Sequence, residues 1–273
     1  MKQCHEYKIL LRNGQAREGL IVQVDDRVGD VCPLPGFSQE TFAEAAEETK
    51  LLLPKFPHVK PHLPSVQFAF DCLQHSIPSN MVVNVCALNQ VKVGFSCVKL
   101  KVGNLSLEET VRRIEQVPEH VRLRLDFNRQ WPLEKLLELT QLFPKERFDY
   151  LEEPTRSWSD LLLFSTQTHF PIALDESIPE FSYDELPSLE ALVVKPTILG
   201  GIPKCPDGVR LVFSSAYESG VGILHLARLC VQHAPNEVHG LDTYSWLQED
   251  VLLQQPELGA GKLHWQHTHA QLR

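Results

Sequence analysis

The chain contains no Cys-x-x-Cys pair, no run of lysine and arginine, no internal repeat, and no apolar stretch approaching ~18 residues. Each absence removes a class of protein. Seven cysteines (Cys4, Cys32, Cys72, Cys86, Cys97, Cys205 and Cys230) are scattered and odd in number, which speaks for reduced thiols in a cytoplasmic protein and against a disulfide framework. With no basic tract and a formal net charge of −9, nucleic acid is excluded as a partner, because phosphate binding is driven by basic patches. The opening MKQCHEYKILLRNGQ lacks a long apolar core, so neither export nor a membrane partner is expected. A small anionic substrate stays compatible with the acidic whole wherever local cations override the overall field.

What is present is a 273-residue chain of ordinary hydrophobic content, 43%, enough for one barrel and a modest accessory domain. Three short apolar runs each close on a carboxylate: VRLRLDFN (121–128) on Asp126, FDYLEEP (148–154) on Glu152 and PIALDES (171–177) on Asp175. From 126 to 152 to 175 the intervals are 26 and 23 residues, the period of a parallel βα barrel. Five further runs complete a set of eight strands: 81–88, 97–102, 191–196, 210–216 and 237–242. Amphipathic helices fit 106–117, 132–143, 159–168 and 222–233. Two crossovers, Asn89 to Ser96 and Thr197 to Val209, are too short for a full helix. The fold class is therefore α/β, a TIM-like barrel over 81–243 with shortened crossovers after strands 1 and 6.

Ahead of it, paired strands over 6–12 and 19–25 flank the turn Arg12-Asn13-Gly14-Gln15. A Pro/Gly-rich loop CPLPGFS (32–38) follows, then a helix opened by Ser38 with Glu40 and Thr41 behind it, and a second helix over 65–74. This reads as a separate α+β capping domain, 1–80, onto which the tail 244–273 packs back.

Strand ends in a parallel barrel converge on one face, so the three acids share one space. Their mutual repulsion calls for a cation between them. Hard oxygen ligands with no nearby Cys or His suit Mg²⁺, with Mn²⁺ as the alternative, over zinc. Neighbouring strand residues point to opposite faces, which gives the metal to Glu152 rather than Glu153, and to Asp175 with Glu176 as a support behind it. Asn128, on the Asp126 face, either hydrogen-bonds a ligand or substrate or makes a strand-end turn. Lysines flank the acids in sequence. Lys99 and Lys101 lie two apart on one strand face, and Lys195 closes ALVVKPTILGG (191–201). A lysine acts as a base near neutrality only when its pKa falls well below ~10.4; a second lysine and a dication both push it that way. Lys101 is thus the expected base and Lys99 its electrostatic depressant.

The ordered set KLK, LDFN, LEEP, LDES, VVKPT resembles the enolase superfamily, in the branch with lysines on both sides of a carboxylate-bound Mg²⁺. The segments PLPGFSQET (33–41), SSAYESGVG (214–222) and GLDT (240–243) are similar to those of the branch that makes 2-succinylbenzoate for menaquinone biosynthesis. That family fills both shortened crossovers with helices, so this chain departs from it there. The resemblance implies a hydro-lyase: Mg²⁺-dependent syn dehydration of 2-succinyl-6-hydroxy-2,4-cyclohexadiene-1-carboxylate through an enediolate. Lys101 takes the proton alpha to the ring carboxylate, and Lys195 stabilises the intermediate or acts on its other face. Lysine bases working beside Mg²⁺ are a general pattern of the superfamily it resembles. Ser214, Ser215, Glu218, Ser219 and Gly220 edge the pocket, with backbone N–H groups near Gly220 and Gly222 either holding a substrate carboxylate or forming a plain helix entry. Pro33 to Ser38 reaches over the barrel mouth. Two rivals remain: an N-succinylamino acid racemase or dipeptide epimerase of the same superfamily, and a non-catalytic barrel that binds a metal or partner. His264, His267 and His269 read as a frayed tail rather than metal ligands.

Overall fold

The computed structural model describes residues 1–184 and 186–273. The chain begins with three antiparallel strands, β1 (Lys2–Leu10), β2 (Ala16–Val24) and β3 (Arg27–Val31), followed by helices α1 (Phe42–Leu52) and α2 (Pro64–Cys72). The hairpin turn is closed by the Asn13 side chain, whose Oδ1 accepts from the Gln15 amide at 3.1 Å, with Gly14 at φ +84° where a side chain would be strained. β3 was not expected. Its RVGDV is short and carries Gly29 because the Ala69 carbonyl of α2 packs against the strand where a Cβ would stand, at 2.4 Å.

The start of α1 corrects the sequence reading. Its N-cap is Thr41, which forms a reciprocal capping box with Glu44, while Ser38 Oγ instead accepts from the Leu34 amide and ties the 33–38 loop to itself. The apolar faces of β2, β3, α1 and α2 enclose a core of Leu20, Val22, Val31, Val66, Phe70 and Leu73.

The barrel staves follow in order: β4 (Met81–Val85) with β5 (Ala87–Leu88), β6 (Cys97–Lys101), β7 (Arg122–Asp126), β8 (Phe148–Glu152), β9 (Ile172–Leu174), β10 (Leu189–Val194), β11 (Arg210–Phe213) and a two-residue eighth stave. Helices α3 (Leu107–Glu115), α4 (Leu133–Leu142), α5 (Trp158–Thr168), the four-residue α6 (Pro196–Leu199) and α7 (Gly220–His233) lie between them. The eighth stave is β12 (Val238–His239), and the tail adds β13 (Glu257–Gly259) and β14 (Lys262–Trp265). From β5 to β11 every neighbouring pair is parallel. The Ser214/Gly240 bridge and the parallel β12–β4 pair carry the ring round to its start.

The first crossover holds no helix and the sixth only α6, as their lengths require. At the first stave the sequence shows one strand and the structure breaks it at Cys86. Below the break β4 pairs antiparallel with β14, and above it β5 pairs with β6. The tail is therefore only partly a capping-domain element. Leu247 bridges Leu11 of the cap, but β14 buries Leu263 and Trp265 against the barrel. The same strand corrects the frayed-tail reading for His264, which lies in β14 facing Val82.

Inside the barrel, Tyr150, Ala173, Ala191, Val193 and Val212 form a small apolar layer. Beside it Arg124 is fully buried over the Tyr150 ring, with its centre 4.7 Å away, and is held by Asp149, Glu237 and the Val238 carbonyl. Arg122, half-exposed, reaches the same two acids from the strand start. A closed ionic floor of this kind leaves the opposite end free for chemistry.

Candidate active site

At that opposite end, β6 ends on Lys101, β7 on Asp126 and β8 on Glu152, and the parallel register sets Lys101 beside Asp126 and Asp126 beside Glu152. Asp175 and Lys195 each come directly after their strands, β9 and β10. Five charged residues from five consecutive staves are thereby delivered to one end of the barrel.

The side chains meet there. Lys99 Nζ lies 2.9 Å from Glu152 Oε1 and 3.2 Å from Asp126 Oδ2, so one ammonium spans two acids. Lys101 Nζ is 3.7 Å from the same Asp126 oxygen, and Lys195 pairs with Asp175 from the other side. The three carboxylates are buried, whereas the Lys101 side chain keeps 44% of its surface.

Burial raises the Glu152 carboxyl to about 7, with Asp126 adding to the shift and Lys99 opposing it. Burial also raises Asp175, partly offset by Lys195. At Asp126 burial is outweighed by Lys99, Lys101 and Lys195, which together hold the carboxyl below its ordinary value. For Lys99 and Lys195 burial works against the charge, but their acid partners prevail and raise both ammonium groups. These two are fixed positive charges. Lys101 makes no hydrogen bond through its ammonium among the described residues and faces the cavity.

The donor set fits a hard dication. Three buried carboxylates from neighbouring staves are all oxygen, and the ammonium groups of Lys99 and Lys195 stand in for the positive charge that such a cluster demands. As arranged here, no three acidic, thiol or imidazole groups among the described residues form a coordination shell. Among the described residues Glu176 Oε2 is buried without a partner, and its other oxygen accepts from Asn128 Nδ2 at 3.0 Å. Asn128, at φ +44°, is thus turned toward Glu176, although it also lines the cavity. Glu153 follows the end of β8 at φ +45°, and its side chain is not among those that pair with the lysines. Its carboxylate accepts from the Asp175 and Ser177 amides at 2.7 and 2.8 Å and from Ser177 Oγ at 2.6 Å, fixing the turn that carries Asp175.

Above the lysines is a cavity of about 560 Å³. Its walls include Ser214 and Ser215 from the end of β11, and Leu34, Pro35 and Phe37 from the capping loop. Ser215 Oγ is hydrogen-bonded to Thr243 Oγ1.

Glu218, Ser219 and Gly220 do not edge this cavity, which corrects the sequence reading. Glu218 accepts from Thr197 Oγ1 and the Ala216 amide; the Ser219 amide and hydroxyl both donate to Asp30 of the cap; the Gly220 amide donates to Asp250. At the start of α7 the Ser219 and Gly220 amides are thus taken by protein carboxylates rather than by a substrate. Asp30, raised by burial to about 6 and lowered in part by Ser219 and Tyr7, makes this a joint between the cap sheet and the start of α7.

Sequence reasoning missed Arg17 and Asp242. Buried Arg17 on β2 donates to the Cys32, Pro33, Ala216 and Tyr217 carbonyls, pinning the capping loop to the barrel rim. Asp242 receives the Leu88 amide at 2.8 Å and Lys92 from the shortened first crossover. Neither has a local motif. The only signal was Asp242's place in GLDT.

A capped barrel whose strand tips set three acids between lysines is the architecture of the enolase superfamily. Residues 83–205 match the enolase C-terminal domain-like family and residues 4–77 the MenC N-terminal domain. The chain is 33% identical to o-succinylbenzoate synthase of Haemophilus influenzae, over 86% of this chain and 85% of that one. It is 32% identical to that of Pasteurella multocida, over 90% and 88%. The chain belongs to the o-succinylbenzoate synthase family. Among solved structures, o-succinylbenzoate synthase from Thermosynechococcus elongatus, complexed with Mg in its active site, superposes with TM-score 0.73 at 22% identity, covering 93% of this chain and 96% of that one. The L-Ala-D/L-Glu epimerase of Bacillus subtilis superposes with TM-score 0.79 at 15% identity, covering 99% and 97%, a likeness of fold.

Proposed function

We infer that this chain is a cytoplasmic hydro-lyase of menaquinone biosynthesis, with 1–80 as its cap and 81–243 as its catalytic barrel. It dehydrates 2-succinyl-6-hydroxy-2,4-cyclohexadiene-1-carboxylate to 2-succinylbenzoate. Among the described residues no helix is long and apolar enough to cross a membrane. The observation that carries the reading is the convergence of Lys99 and Lys101 from one side and Lys195 from the other on Asp126, Glu152 and Asp175.

Lys101, the least encumbered of the three amines, removes the proton alpha to the ring carboxylate and returns it to the departing hydroxyl on the same face. Lys99 and Lys195, held as ammonium groups by their carboxylates, stabilise negative charge as it develops on the substrate oxygens. Mg²⁺, or Mn²⁺ in its place, held by Asp126, Glu152 and Asp175, supplies Lewis-acid polarisation of the ring carboxylate when bound. Glu153 keeps Asp175 in place, and the capping loop with Arg17 shields the ring from water. Aromatisation makes the elimination downhill, so one base suffices. A racemase or epimerase needs two opposed bases, and the close Lys195–Asp175 pair favours charge stabilisation over proton removal at that position.

Incubation with the hydroxycyclohexadiene acid and Mg²⁺, followed by the ultraviolet change on aromatisation, tests this. Turnover lost to a chelator and restored by Mg²⁺ is expected. Turnover of N-succinylamino acids with none of the diene acid would overturn it.

A further inference from the structure

Cys86 and Cys97 are the one pair of thiols in mutual contact among the described residues, with Cys86 Sγ donating to Cys97 Sγ at 3.3 Å. Three features set them apart from ordinary core cysteines. Cys86 is the residue at which the first stave leaves β14 and joins β6, and the register there, Ala87 beside Val98, makes Cys86 and Cys97 the next rung down. Adjacent strands lie ~4.8 Å apart, inside the Cα separation a disulfide spans. Cys86 also lines the catalytic cavity, which gives a small solute a path to an otherwise buried pair. Finally, Cys97 stands two residues before Lys99 and four before Lys101 on the same strand face.

We propose that Cys86 and Cys97 are an oxidisable dithiol in the wall of the catalytic cavity, closed by peroxide into a disulfide that suppresses turnover. One thiolate attacks a peroxide oxygen, breaks the O–O bond and becomes a sulfenic acid as hydroxide leaves. The second thiolate attacks that sulfur, the S–S bond forms and a second hydroxide leaves. The two thiol protons carry both off as water, so two thiols and one hydrogen peroxide give one disulfide and two waters. The hydrogen bond from Cys86, together with Arg124, draws the Cys97 thiol below its ordinary value against the effect of burial, while burial and that same contact raise Cys86, so the first of the two protons to leave comes from Cys97. Closing the sulfurs from 3.3 Å to ~2.05 Å moves the strand that carries both lysines. Displacements of ~1 Å near reacting groups cost ~10²-fold in rate. Only the activity arm rests on the function inferred above; the crosslink is read separately by mass.

The test uses the full chain with the two less buried thiols replaced, Cys4→Ser and Cys205→Ser, treated with hydrogen peroxide and mapped under non-reducing conditions. A peptide joining 86 to 97 is expected, with at least a tenfold loss of turnover that dithiothreitol reverses. In Cys97→Ala, measured against its own untreated rate, the loss is absent; Cys97→Ser serves if the alanine variant does not fold. No linked peptide would overturn the site, and a linked peptide with unchanged turnover would overturn its control of activity.

Discussion

At the scale of single residues, the lysines that share a strand face divide into two kinds. Lys99 is buried between two carboxylates and Lys101 is half-exposed in the cavity, so their removal has different signatures. Lys101→Ala is expected to lower turnover by ~10²–10⁴-fold with the thermal midpoint unmoved. Lys99→Met, which strands buried acids, is expected to destabilise the chelator-treated protein by about 3 kcal/mol. Denaturant titration read beside the steady-state rate separates the two; equal stability loss in both variants would reject the division. The order lysine, Asp126, Glu152, Asp175, lysine was legible in the sequence because each acid ends an apolar run and strand alternation is a local property. Glu218, Ser219 and Gly220 were misread for the opposite reason. Whether those groups are free depends on Asp30, Asp250 and Thr197, partners that no local pattern discloses.

At the scale of elements, the helices whose caps are encoded next door were read closely. α3 starts after Ser106 and α5 after Ser157, each with the cap hydroxyl accepting from a first-turn amide. The capping-domain helix was read three residues early because Ser38 and Thr41 both precede acidic residues, and only Thr41 completes the reciprocal pair with Glu44. Thr41→Ala should therefore cost about 1 kcal/mol. Ser38→Ala should leave α1 intact and instead loosen the 33–38 loop, raising KM more than it lowers kcat. Equal stability losses from the two would contradict this assignment. The strand break at Cys86 was illegible, since MVVNVCAL (81–88) is apolar apart from Asn84 and carries no turn residue at Cys86. The break arises because β14 takes the lower edge of the stave from below.

At the scale of the whole molecule, cap and barrel are joined by buried polar groups, and this makes stability depend on pH. His225 of α7 is fully buried against the Val28 carbonyl of β3, and burial, reinforced by Arg228, lowers its imidazole to about 3. In the unfolded chain it titrates near ~6.5. The neutral form is the folded form, so its stabilisation is complete above ~6.5 and is lost as pH falls through that value toward about 3, by a few kcal/mol in all. Asp30, raised to about 6, acts in the opposite sense between that value and ~3.9. A comparison of His225→Gln with the parent isolates the histidine: the variant should lose less stability between pH 6.5 and 4, and parallel curves would reject the assignment. Taken by itself, the amino-acid sequence determined the barrel, its two shortened crossovers and the charged residues at its strand tips, because periodicity and chain length are properties of neighbours in sequence. Which amides are already satisfied, which lysine is left unclamped, where the tail docks and that two thiols touch were decided only by the tertiary structure, because hydrogen bonds and ion pairs act through space between groups as distant in sequence as Gln248 and Leu11, 237 residues apart.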